Sequence, residues 1–123
     1  MLIRNLLMLC MLPFFIGCSN NELNSDCKRV DKAVFKTELE QHEFVQIIDV
    51  RTFKEFNNGS IEKAKNINFY DADFNEQLND LDKTLPTFVY CHSGGRSFKT
   101  MELMCELGFQ MVYELEGGYS SWN

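Results

Sequence analysis

The chain has 123 residues, room for one small domain, and its 45% hydrophobic and 13% aromatic content is that of a globular protein. Its 12 Lys and Arg stand against 18 Asp and Glu, a formal charge of -6 at pH 7. An acidic chain without basic clusters is a poor partner for nucleic acid or for anionic membrane surfaces, so any anion site must be built locally, against the overall field.

The N-terminus differs from the rest. Arg4 and the free amine precede an apolar run from Leu6 to Ile16, and Gly17-Cys18 follows. A charged start, a short apolar stretch and a small residue before the break are marks of a secretory signal, and the run is shorter than the roughly 20 residues a membrane span needs. Phe15-Ile16-Gly17-Cys18 resembles the lipobox of bacterial lipoproteins, with Phe15 where Leu is usual. The resemblance implies a leader over 1–17, a lipid on Cys18 and a polar tether over 18–29, with the folded unit at 30–123. A plain signal peptide cut nearby, or a segment that merely looks like a leader, is the alternative. The place implied is the bacterial cell envelope, facing the periplasm or exterior, with membrane contact through the lipid alone.

Of five cysteines, Cys10 would leave with the leader and Cys18 would carry the lipid. Cys27, Cys91 and Cys105 remain, and an odd number in an exported protein leaves at least one thiol over. Cys27 is expected in the tether, where a disulfide with a partner has no support in the sequence.

Asp31 to Gln41 reads as a helix with Val34, Phe35 and Leu39 on one side. Val45 to Val50 is the compact apolar run of a strand buried on both faces. Asn66–Phe69, Thr87–Tyr90 and Met111–Leu115 are further strands; Phe53–Asn57, Phe74–Leu81 and Ser97–Leu107 are helical, the last stopped by Gly108. Alternating strands and helices predict an α/β domain with a mainly parallel sheet, whose ligand crevice lies beyond the carboxyl ends of its strands. Two segments fall there: Asp49 to Glu55, and Cys91 to Ser97.

The second carries the chemistry. Cys91-His92-Ser93-Gly94-Gly95-Arg96-Ser97 follows an apolar strand and opens a helix. Gly94 and Gly95 allow the backbone to curl with its amides turned inward, and the helix start adds positive potential, giving a cradle for negative charge. Arg96 adds a permanent cation. A cysteine at the mouth of such a cradle ionises readily, and the thiolate is the nucleophile.

These residues resemble the rhodanese superfamily, in linked motifs along the folded region. Ile48-Asp49-Val50-Arg51, Glu55-Phe56, Gly59-Ser60-Ile61, Ala64 to Ile67, Tyr90 to Ser97, Leu107-Gly108-Phe109 and Leu115-Glu116-Gly117-Gly118 with Trp122 follow the family order. Ser60 stands where many members have His, and Lys63 where many have Gly. The resemblance implies a three-layer fold with a central parallel sheet flanked by helices, and sulfur transfer through a persulfide on Cys91. Arg96 and the loop amides would stabilise an anionic donor, with His92, Ser93, Gly94, Gly95 and Ser97 shaping the substrate site. Sulfurtransferase members use a short loop and phosphatase members a longer one; Cys91 to Arg96 is the short form. No cofactor is implied, and the partners are small anionic sulfur donors and thiol acceptors of a monomer.

Other residues have plainer expectations. Asp49 and Arg51 read as a structural ion pair or loop clamp, with Glu55 available to Arg51. Cys105, among Met101, Met104 and Leu107, reads as a packed core residue rather than a resolving thiol. His42 is the only other histidine besides His92, and no Cys/His spacing suggests a metal site. A non-catalytic anion-binding module is the alternative function; a thiol-redox protein pairing Cys91 with Cys27 or Cys105 ranks below it.

Overall fold

The computed structural model describes residues 25–123. The expected leader, Cys18 and the expected tether as far as Asn24 lie outside them. Strand β1 spans Asp26–Val30, α1 Lys32–Gln41, β2 Gln46–Asp49, α2 Phe53–Asn57 and β3 Lys65–Asn66. Then come α3 Phe74–Asn79, β4 Thr87–Tyr90, α4 Gly95–Glu106 and β5 Met111–Leu115, followed by a short 3-10 turn at Tyr119–Ser121. The strands form one sheet in the order β1-β5-β4-β2-β3, every pairing parallel.

Two apolar layers follow from the alternation of side chains along the strands. Ile48, Val89 and Val112 face one way, against Phe74 and Leu78 of α3 and Met101 and Met104 of α4. Ile47, Phe88 and Tyr113 face the other, against Phe35 of α1 and the closing residues Tyr119 and Trp122. The result is the expected three-layer α/β architecture, helices on both sides of a parallel sheet. Local signals fix the entries: the Asp31 side chain accepts from the Val34 amide at 2.9 Å, and Thr52 and Glu55 form a reciprocal capping box at α2.

Three elements depart from the sequence reading. The tether ends early, because Asp26–Val30 is an edge strand running beside β5, from the Asp26 amide on Gln110 O to the Glu116 amide on Val30 O, each 2.9 Å. Its composition is polar because an edge strand has solvent along one side. The strand expected at Asn66–Phe69 is only Lys65–Asn66. The Asn68 side chain accepts the Tyr70 amide at 3.0 Å and turns the chain away. The last helix begins at Gly95, two residues before Ser97, which brings the loop's own amides into its first turn.

The fold places the chemistry by topology. From β2 the chain crosses to β3 on one side; from β4 it crosses to β5 on the other. The order reverses between β2 and β4, and at such a switch point the two following loops part to leave a crevice. Asp49–Arg51 ends one of these strands and Cys91 ends the other.

Candidate active site

Cys91 is 1% exposed, with its side chain on the α4 side of the sheet. Its sulfur accepts the Gly94 amide at 3.1 Å and lies 3.2 Å from the Ser97 hydroxyl. Burial disfavours a charged sulfur here. The Ser97 hydroxyl and the amides of Ser97, Gly94 and Ser93 outweigh it and hold the thiol below the ordinary cysteine value. Cys91 is the free cysteine among the described residues.

The loop is gripped from behind. The amides of Tyr119 and Ser120 donate to the carbonyls of Cys91 and His92 at 2.8 and 3.0 Å. With those carbonyls drawn outward, the amides that follow are free to face the sulfur. Gly118 makes the approach possible: a Cβ there would lie 2.5 Å from both carbonyl oxygens. Gly94 has φ 110, a conformation that favours glycine, and a Cβ on it would crowd the Arg29 guanidinium at 2.9 Å. His92, Ser93 and Gly95 are exposed at the mouth, and Ser97 is buried beneath.

Two arginines surround this loop, and only one was anticipated. Arg96 is turned to Glu55 of α2 in a two-pronged pair, Nη1 to Oε2 at 2.9 Å and Nη2 to Oε1 at 3.0 Å, with the Tyr70 ring 5.8 Å from its Cζ. Arg96 holds the Glu55 carboxyl down to about 2, helped by Thr52. Glu55 is therefore not the partner of Arg51. The second arginine, Arg29 of β1, donates from Nε to Glu114 Oε2 at 2.6 Å and from Nη2 to the Gly94 carbonyl at 2.8 Å. Glu114 of β5 is fully buried and also receives the Ser97 hydroxyl on Oε1 at 2.6 Å. A buried carboxylate is tolerable when paired and hydrogen-bonded in this way. The signal for Glu114 was present, a lone carboxylate inside the apolar run Met111–Leu115; Arg29, in a polar stretch, gave none.

Asp49 and Arg51 form the clamp expected of them. Arg51 Nη2 reaches Asp49 Oδ2 at 2.7 Å and the Gly59 carbonyl at 2.6 Å, and its Cζ lies 4.2 Å from the Tyr119 ring centroid. Both residues are buried, and their bonds brace the loop after β2 against the turn that grips Cys91. The cysteine expectations are corrected: Cys27 and Cys105 are joined in a disulfide that ties β1 to α4, with Cα atoms 6.4 Å apart. The edge strand carries Cys27 alongside α4, where Cys105 is only partly buried. Among the described residues no His, Cys, Asp or Glu group is arranged to hold a metal ion, and no helix is long and apolar enough to cross a membrane.

The sequence matches the family described as Rhodanese-like domain over residues 31–123. It is 38% identical to thiosulfate sulfurtransferase GlpE of Shewanella oneidensis, over 64% of this chain and 76% of that protein. It is 33% identical to YtwF of Bacillus subtilis, over 79% of this chain and 91% of that one. Among solved structures it superposes on a rhodanese-like domain protein from Staphylococcus aureus with a TM-score of 0.68, at 31% identity, covering 78% of this chain and 91% of the other. A rhodanese-related protein from Thermoplasma volcanium gives a TM-score of 0.67 at 26% identity, covering 77% and 89%. The three-layer architecture agrees with these likenesses, and the chain belongs to the rhodanese-like domain family.

Proposed function

We propose that this domain is a sulfurtransferase, or sulfane-sulfur carrier, working through a persulfide on Cys91. The observation that carries the reading is the environment of the Cys91 sulfur, which receives the Gly94 amide and neighbours the Ser97 hydroxyl at the carboxyl end of β4. These groups favour a thiolate, and the same amides suit a persulfide anion. With thiosulfate, the Cys91 thiolate attacks the outer sulfur; a Cys91–sulfur bond forms, the sulfur–sulfur bond of the donor breaks, and sulfite leaves with its electron pair. An acceptor such as cyanide or a thiolate then attacks the outer persulfide sulfur, and the Cys91 thiolate departs. Charge balances in each step, and the transfer is divided into two easier displacements. The relative from Shewanella, named as a thiosulfate sulfurtransferase, supports this donor class. The short loop from Cys91 to Arg96 favours sulfur over phosphate. A thiol-redox role is disfavoured because Cys27 and Cys105 are occupied with each other. The lipid anchor at Cys18 and the envelope location belong to the same proposal.

The intact mass of the purified chain, measured after thiosulfate and again after cyanide, tests it. One sulfur should add, map to Cys91 and disappear with cyanide; Cys91→Ser should gain none. A folded protein with a free Cys91 thiol that gains no sulfur would overturn the thiosulfate cycle and favour the alternative, an anion-binding module.

A further inference from the structure

The Ser97 hydroxyl has one hydrogen and two acceptors for it. Its oxygen is 2.6 Å from Glu114 Oε1 and 3.2 Å from the Cys91 sulfur. While Cys91 is a thiol there is no conflict: the S–H donates to Ser97, and Ser97 donates to Glu114. Once Cys91 is a thiolate the sulfur needs that hydrogen, and Glu114 competes for it. We infer that Glu114 is a positioning residue that tunes the ionisation of Cys91 by competing with the sulfur for the one Ser97 hydrogen. Arg29 is the third member, because its Nε and Nη2 occupy Glu114 at 2.6 and 3.2 Å and share the carboxylate with Ser97.

The geometry has no purely architectural excuse. A buried carboxylate on an α4-facing position of β5 could have been satisfied by Arg29 alone, yet it reaches the one hydroxyl that neighbours the nucleophile. The chain of contacts runs from the surface to the sulfur: Arg29 is partly exposed, with 37% of its side chain accessible, whereas Glu114 and Ser97 are fully buried. The charged groups around Cys91 are Arg29 from β1, Glu114 from β5 and Arg96 from α4, with His92 beside it in the loop. Arg96 is already paired with Glu55, Tyr70 lies next to it, and Glu116 lies beyond Arg29. Among them Glu114 is the group bonded to the hydroxyl that faces the sulfur. When the thiol ionises, its proton passes to solvent base and the Ser97 hydrogen turns from Glu114 to sulfur, without any change in oxidation state.

This inference rests on Cys91 being the nucleophile, and its test is made without sulfur transfer. Thiolate absorbance in the ultraviolet is titrated on the full chain, taking the difference from Cys91→Ser so that other groups cancel. Glu114→Gln can donate its amide to Ser97 and free the hydroxyl for sulfur, so the Cys91 midpoint should fall by about one pH unit, tenfold in ionisation constant. Glu114→Asp keeps the charge but is one methylene short of Ser97, and its midpoint should fall as well. Ser97→Ala should raise the midpoint, and in that background Glu114→Gln should move it by less than half as much. An equal shift with and without the hydroxyl would show that Glu114 acts by charge alone and would overturn the inference. So would a midpoint unmoved or raised in Glu114→Asp, or unmoved in Ser97→Ala. Where the midpoints shift as stated but thiosulfate adds no sulfur to Cys91, the transfer reading fails and the Glu114 assignment stands.

Discussion

Arg96 grips Glu55 across the mouth of the Cys91 loop, each terminal nitrogen on one carboxylate oxygen, at 2.9 and 3.0 Å. A guanidinium already matched to a carboxylate attracts a second anion less strongly than a free one. Glu55 thus moderates the anion site it borders. Glu55→Gln should raise kcat/KM for thiosulfate about fivefold, the value of about 1 kcal/mol for unit charges some 4 Å apart in water. Steady-state kinetics with thiosulfate and with a neutral sulfur donor check it. An unchanged value with both would place Arg96 outside the path of the donor.

The same pair gives a pH prediction. Glu55 titrates at about 2 in the folded protein, below its ordinary 4.5. The contribution of the pair to stability is therefore complete above about 4.5 and is lost as pH falls towards 2. Because 35% of the Glu55 side chain is accessible, solvent screening keeps the contribution under about 1 kcal/mol. Thermal unfolding of wild type and Glu55→Gln should differ slightly at neutral pH and converge in acid. A difference that grew on acidification would contradict the assignment.

Gly118 offers a sharper test of the clasp behind the loop. Its φ of 59 with ψ of -157 lies in a region that is essentially glycine's alone. Gly118→Ala should cost about 1–3 kcal/mol in conformation, and its Cβ would push on the Cys91 and His92 carbonyls. Displacing the nucleophile by about 1 Å lowers rates on the order of a hundredfold. Sulfur loading should thus fall much further than the urea midpoint would suggest. Loading in proportion to the folded fraction would show that the clasp does not position Cys91.

What the sequence disclosed and what it hid divide along the distance between partners. The helix at α1, the buried strands β2 and β4 and the Cys91–Ser97 loop are written in neighbouring residues: apolar residues along one side of a helix, an apolar run, two glycines before an arginine. The loop's local hydrogen bonds follow from the same stretch. The charged network does not, because Arg29 and Glu114 stand 85 residues apart and meet only when β1 pairs with β5. The preference of Glu55 for Arg96 over Arg51 has the same origin. Arg51 is satisfied by Asp49 two residues away, which leaves Glu55 to a partner brought close by α4.

The lipobox reading has its own test, since residues 1–24 lie outside the described structure. Cys18→Ala should release the chain from the membrane fraction of an expressing bacterium, as followed by fractionation and by loss of incorporated labelled fatty acid. A variant that stayed with the membranes would remove Cys18 as the anchor.

The Cys27–Cys105 disulfide closes a loop with a sequence separation of 78. Closing a loop of that length in the unfolded chain is worth about 4.5 kcal/mol by chain entropy, and native disulfides usually deliver about 2–4 kcal/mol. The bond should matter here because β1 is a polar edge strand, held otherwise by its ladder to β5 and by the Arg29–Glu114 pair. Cys27→Ala should therefore lower the unfolding free energy by about 2–4 kcal/mol in urea, with a steeper slope as the unfolded state expands. Wild type under a thiol reductant should behave alike. Equal stability of the variant and wild type would mean that strand pairing alone seats β1. A loss of sulfur loading larger than the loss of folded protein would mean that the disulfide, by seating β1, also seats Arg29 against Glu114 and the Gly94 carbonyl.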